Sequence, residues 1–197
     1  TFMHKYSPKI YYFVKEFDSQ ELQKIKKSIA IIYRNYEKKV DEKSIVAIKQ
    51  HCKKYKRKFY LANNLKFAIK HKLDGLYIPA FHKKLNIKNY NLPLNFGIIG
   101  SAHNEIDIKI KEKQGCTVIF LAPIFKVSKK KNYLNIHRFN SLSQNEDVKI
   151  IALGGINQKN VKKINLLKCY GFAGISWIKK NGLNKFRPFL NCLNRTN

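Results

Sequence analysis

At 197 residues the chain can bury the core of one domain, taken as spanning 1–197, and no run of 18 apolar residues predicts a membrane span. The opening, TFMHKYSPKI, has no apolar stretch and is not expected to be a secretory signal. A formal charge of +28 would suit a nucleic-acid binder, but only five of the 40 basic residues are arginine and the lysines run through every segment. With Ile and Asn also abundant, the composition is that of an AT-rich coding genome, so nucleic acid is not the expected partner, although anions would be drawn to the surface. Cys52, Cys116, Cys169 and Cys192 form no CxxC pair, which argues against zinc and for reduced thiols in a cytoplasmic protein.

Taken in chain order, short apolar and β-branched runs alternate with lysine-laced helical segments. KIYYFV (9–14) and IAIIYR (29–34) read as the first strands. A helix over 41–56 follows, with Ile45, Ile48, Cys52 and Tyr55 on one stripe. KFYLAN (58–63), a helix over 64–72 and DGLYIP (74–79) come next. After a polar loop come FGIIGSAH (96–103), a helix over 104–114 and TVIFLAPIF (117–125). VKIIALGGI (148–156), a helix over 157–170 and GFAGISWI (171–178) complete the pattern, with a closing helix near 184–193 that takes Pro188 in its first turns. Asn104 and Asn157 stand at N-cap positions, and Gly115 and Gly171 follow the last helical turns. Continuous apolar runs are the mark of parallel strands buried on both faces. Eight of them, with intervening helices and no leftover element, predict an α/β fold, a single (β/α)8 TIM barrel; an open doubly wound sheet is the alternative.

In such a barrel, reactive groups gather at the C-terminal strand ends. Those ends carry Lys15, Arg34 with Tyr36, Asn63 with Asn64, His82, Ser101 with His103, the Lys126–Lys131 loop, Gly154 with Gly155, and Ser176. Two glycines ending the seventh strand let backbone N–H groups approach an anion, and Ile175 and Ser176 end the eighth strand beside them. Ser128, Lys129 and Lys130, after the sixth strand, could close over a phosphate from the side; the other reading is a solvated lysine run. His82 and His103 sit where an acid or base could act, although a lone histidine often only bonds locally.

APIF with its hydroxyl-and-lysine loop, ALGGIN, and GFAGIS together resemble the thiamin phosphate synthase and thiazole tautomerase family. IIGSAHN, KLDGLYIP and IIYRN are similar to earlier family segments in order and spacing. The resemblance implies capture of an aminopyrimidine cation by a thiazole phosphate as pyrophosphate leaves, with Mg2+ and basic residues on the pyrophosphate. It also places Asn63 and His82 where the family has two metal-binding Asp residues. Tyr36 and Ile32 stand for a Lys and a Gln, Tyr77 stands for a His, and Pro123 stands for the tautomerase His. Arg34 is kept. The expected ligand is therefore a small phosphorylated thiazole or pyrimidine, with Arg34, Asn63, His82, Ser101 and His103 as the catalytic set and a homo-oligomer possible. Mg2+ enters only if synthase activity is retained. The alternatives are a non-catalytic phosphate-ligand binder and a tautomerase-like isomerase.

Overall fold

The computed structural model describes residues 7–37, 41–84, 87, 90–128, 132–144 and 147–174. Eight strands alternate with helices: β1 (Ile10–Val14), β2 (Ala30–Tyr33), β3 (Phe59–Ala62), β4 (Gly75–Ile78), β5 (Gly97–Ala102), β6 (Val118–Leu121), β7 (Lys149–Leu153) and β8 (Gly171–Gly174). Each pairs in parallel with the next, and β8 returns to β1 with Phe172 opposite Ile10, so the sheet closes into a (β/α)8 barrel.

Successive side chains on a strand face opposite ways, and the two faces build two cores. Tyr11, Phe13, Ile32, Tyr60, Tyr77, Ile99, Val118, Phe120 and Ile151 fill the inside of the barrel. Aromatic rings dominate there, meeting edge to face at 4.9 Å (Tyr11–Phe120), 5.4 Å (Phe13–Tyr77) and 5.6 Å (Tyr77–Phe120). Ile10, Tyr12, Ile31, Leu61 and Phe172 point outward into the layer under the helices.

The helices start where short polar side chains can satisfy their first N–H groups. Asp41 accepts from Lys43 and Ser44 N–H and opens α2 (Glu42–Lys54), after a first short helix α1 (Ser19–Gln23). Asn64 accepts from Phe67 N–H at the start of α3 (Leu65–Lys70), and Asn104 from Asp107 N–H at the start of α4 (Glu105–Lys113). Each such cap contributes about 1 kcal/mol. The α2 stripe is buried at Ile45, Ile48 and Cys52, while Tyr55 is the C-cap residue.

Several expectations are corrected. The helix expected over 157–170 is only a 3-10 helix, Val161–Leu166. Asn157 accepts from Lys159 and Asn160 N–H, so the chain turns at 157–160 instead of propagating an α-helix. Gly171 is not a helix end; it is the first residue of β8. Strand six stops at Leu121, before the cis Ala122–Pro123 peptide, and strand seven stops at Leu153, before two glycines with positive φ. The helices α1 and α5 (Asn135–Leu142) were not expected. The closing helix and Trp177 lie outside the described residues.

Candidate active site at the C-terminal mouth

A cavity of about 470 Å³ opens at the C-terminal strand ends, and Arg34, Tyr36, Tyr77, Ser101, His103 and Asp107 line it. Phe81, Lys83, Ala122 and Leu153 add to its walls. The β2 ladder sets Arg34, whose N–H donates to Val14 O at 2.8 Å. Its guanidinium lies 4.3 Å above the Phe13 ring and 5.8 Å from the Tyr36 ring, a cation held over aromatic faces. Tyr77 faces the same cavity as Ser101 and Arg34. Burial pushes the Tyr77 pKa up, with Arg34 opposing, so the phenol stays neutral.

His103 is oriented by two contacts. Its Nδ1 lies 2.6 Å from the Ala122 carbonyl, which only accepts, so the proton sits on Nδ1. In the neutral ring this makes Nε2 the acceptor nitrogen. Its backbone N–H donates to Asp107 Oδ2 at 3.1 Å. Asp107 is 5% exposed and is the only carboxylate among the described residues lining the cavity. Sequence reasoning missed it, although it stands three residues after the Asn104 cap, where an acidic side chain reaches back over a helix start.

Asn63 and His82 touch through Asn63 Oδ1 and His82 Nδ1. Asn63 ends β3 in the left-handed region, φ 59°, a conformation asparagine tolerates. Neither residue lines the cavity, but His82 stands between Phe81 and Lys83, which do. The loop carrying His82 is clamped from α4. Lys111, fully buried, donates to His82 O at 2.9 Å and to Gln114 Oε1 at 2.8 Å, while Gln114 Nε2 donates to His82 O and Lys83 O, each at 3.0 Å. Lys111→Met keeps the length and loses the donors. It is expected to cost about 2 kcal/mol of stability and to speed amide hydrogen exchange selectively at 81–84. Unchanged exchange there would show that the clamp holds nothing.

The Gly154–Gly155 turn follows β7 with φ of 93° and 73°. A Cβ on Gly155 would lie 2.4 Å from Phe125 O and one on Gly154 would lie 2.8 Å from Pro123 Cβ, so the turn packs directly on the chain after β6. The Gly155 carbonyl accepts from Asn160 Nδ2 at 2.8 Å and from Asn157 Nδ2 at 3.2 Å. Among the described residues, the N–H groups of Gly154 and Gly155 donate to nothing. Ser128 is exposed and does not line the cavity. Lys15 is not part of it either: it pairs with Glu37 at 2.8 Å in solvent. Lys129, Lys130, Ile175 and Ser176 lie outside the described residues.

The donors at Asn63 and His82 do not fit Mg2+: one is neutral and engaged by the other, which offers nitrogen to an ion that prefers oxygen. No group of three His, Cys, Asp or Glu suited to a metal occurs among the described residues. Burial pushes the Cys52 and Cys116 thiols up to about 12 and Cys169 to about 11, so none of these supplies a thiolate. No helix among the described residues is long and apolar enough to cross a membrane.

Fold and cavity together define a barrel of the (β/α)8 class with a polar cavity at the C-terminal end of the strands. The chain belongs to the thiamine monophosphate synthase family, whose family model matches residues 15–178. It is 33% identical over 138 residues to a thiamine-phosphate synthase of Prochlorococcus marinus subsp. pastoris, covering 68% of this chain and 38% of that protein. A thiamine-phosphate synthase of a second Prochlorococcus marinus strain is 30% identical over 144 residues, 71% of this chain and 36% of the relative. The chain thus spans little more than a third of the length of these curated relatives. The fold is similar to that of thiamine phosphate pyrophosphorylase from Pyrococcus furiosus, with a TM-score of 0.73 at 15% identity over 95% of this chain and 96% of that one.

Proposed function

We propose that this protein works in thiamin biosynthesis as a divergent thiamin phosphate synthase that binds a thiazole phosphate, or thiamin phosphate, at the C-terminal mouth. The observation that carries this reading is the convergence of Arg34, Tyr77, Ser101 and His103 on one cavity beside a turn with two open N–H groups, in a chain of this family. Gly154 and Gly155 N–H would hold the phosphate, with Ser128, Lys129, Lys130, Ile175 and Ser176 completing its cradle. Arg34 would face the departing pyrophosphate as a fixed positive charge in a partly dry site. Ser101 and Tyr77 would orient the reacting ring, and His103 would accept or return a proton at Nε2. No step is assigned to a metal ion, because Asn63 and His82 do not form a site for one.

That same pair favours a second reading, a binder of phosphorylated thiamin precursors that no longer turns them over. The isomerase reading has nothing to carry it, since Pro123 stands where its histidine would be. Calorimetric titration with thiazole phosphate, thiamin phosphate, inorganic phosphate and the unphosphorylated thiazole alcohol tests the shared premise. The thiazole phosphate is expected to bind at least about tenfold more tightly than the alcohol, a difference of ~1.4 kcal/mol. Equal affinities would sink the phosphate site. Turnover with the pyrimidine diphosphate then separates synthase from binder.

A further inference from the structure

A second cavity, of about 460 Å³, lies at the other end of the barrel, where α2 runs into β3 and α3 runs into β4. Lys49, Lys53, Lys56, Arg57, Lys58 and Lys72 line it, over a floor of Cys52, Phe59 and Leu73. Asp74 is the only carboxylate in its lining, and it is already engaged by Lys58 Nζ at 2.7 Å and Phe59 N–H at 2.9 Å. Among the described residues, no carboxylate stands within ion-pair distance of Lys49, Lys53, Lys56, Arg57 or Lys72. Elsewhere the pattern differs: Lys70 of α3 reaches Glu42 of α2 at 2.7 Å, and on α4 Lys109 reaches Glu105 at 2.8 Å.

Arg57 separates this cavity from a merely solvated lysine face. It is 6% exposed, and its terminal nitrogens donate to the Leu22 carbonyl at 2.9 Å and to the Ile25 carbonyl. Its Nε is buried with no hydrogen-bond partner among the described residues. A full positive charge is therefore held out of water against neutral groups alone, an arrangement that a nearby anion would relieve. Desolvation accordingly lowers the Arg57 pKa.

We propose that this cavity is a binding site for a small anion carrying two or three linked phosphates, free or borne by a nucleotide. Lys49 and Lys53 stand one helical turn apart, roughly 6 Å along α2, while Lys72 faces them from the α3–β4 turn. That spacing exceeds one phosphate and matches a short chain of them. The site is independent of the C-terminal mouth and does not rest on the function proposed for it.

The test is calorimetry at about 0.15 M salt with inorganic tripolyphosphate, pyrophosphate, monophosphate and ATP. Tripolyphosphate is expected to bind more tightly than monophosphate, with an affinity that falls as salt rises. ATP binding as tightly as tripolyphosphate assigns the site to nucleotides as well; much weaker ATP binding assigns it to the free polyphosphate. Lys53→Gln with Lys72→Gln, both exposed and with side chains that make no hydrogen bond among the described residues, should weaken tripolyphosphate by about tenfold or more without affecting folding. Arg34→Gln, at the mouth, should leave in place the binding that depends on Lys53 and Lys72. Lys162→Gln with Lys163→Gln removes the same charge from an exposed stretch of the 3-10 helix and should also leave it unchanged. No binding by the parent protein, equal loss in the two lysine pairs, loss confined to Arg34→Gln, or tight binding of single-stranded nucleic acid without tripolyphosphate binding would each overturn the proposal.

Discussion

Gly171→Val is expected to destabilise the protein more than almost any other single exchange, by at least ~4 kcal/mol, and to lower Tm by roughly 10 °C or more. Gly171 opens β8, and a Cβ there would lie 1.8 Å from Lys9 O and 2.9 Å from Lys9 Cα. The next residue makes the bond that zips the barrel shut, Phe172 N–H to Lys9 O at 3.0 Å. Both obstacles are backbone, so no side-chain rotation relieves the overlap. The valine can be accommodated only by moving β8 away from β1, which breaks their ladder and opens the interior aromatic layer to water. Chemical and thermal unfolding followed by circular dichroism measures the loss. A change below about 1 kcal/mol would mean that β8 does not meet β1 in this register.

The barrel was legible because each parallel strand, covered on both faces, shows up as an unbroken apolar run; IIAL in β7 and VIFL in β6 are examples. Strand ends were overextended where a geometry invisible in composition stops the ladder, as at Ala122–Pro123 and Gly154. The helix α1 did carry a signal, Asp18 with Glu21 three residues later, but five residues give no periodicity to see. The helix α5 begins at Asn135, φ 57°, whose Oδ1 accepts from Arg138 N–H at 3.1 Å, so an asparagine cap did announce it, but eight residues are too short a stretch for a period to stand out. In the site, the strand-end rule led to Arg34, Ser101 and His103, which share the cavity, because β-strand ends in a barrel converge by construction. It did not lead to Asp107 or Lys111. A buried lysine cannot be told from 34 others by sequence when only the tertiary fold removes it from water.

The double change Asn63→Asp with His82→Asp is expected to create Mg2+ affinity where the parent protein has none, weak, on the order of a millimolar. In the parent, the Asn63 and His82 side chains are in direct contact, so two carboxylates placed there would be forced close together. Like charges at that separation repel, one carboxyl would hold its proton more tightly, and a divalent cation bound between them would remove the conflict. Aspartate accepts the left-handed backbone at position 63 about as readily as asparagine, so the exchange carries little strain. Titration calorimetry with Mg2+, and Mn2+ as a spectroscopic reporter, reads the result; either single variant should bind far more weakly than the pair. Failure of the pair to bind would show that positions 63 and 82 do not converge as described. Turnover need not return with the metal. Ile32 is fully buried inside the barrel, and Tyr36, its ring 5.4 Å from that of Phe81, has a hydroxyl but no charge, so neither offers a cation to a leaving pyrophosphate. The parent's own turnover should accordingly be low and nearly indifferent to Mg2+. Robust, Mg2+-dependent formation of thiamin phosphate by the unaltered protein would overturn this reading and put the metal on groups other than Asn63 and His82.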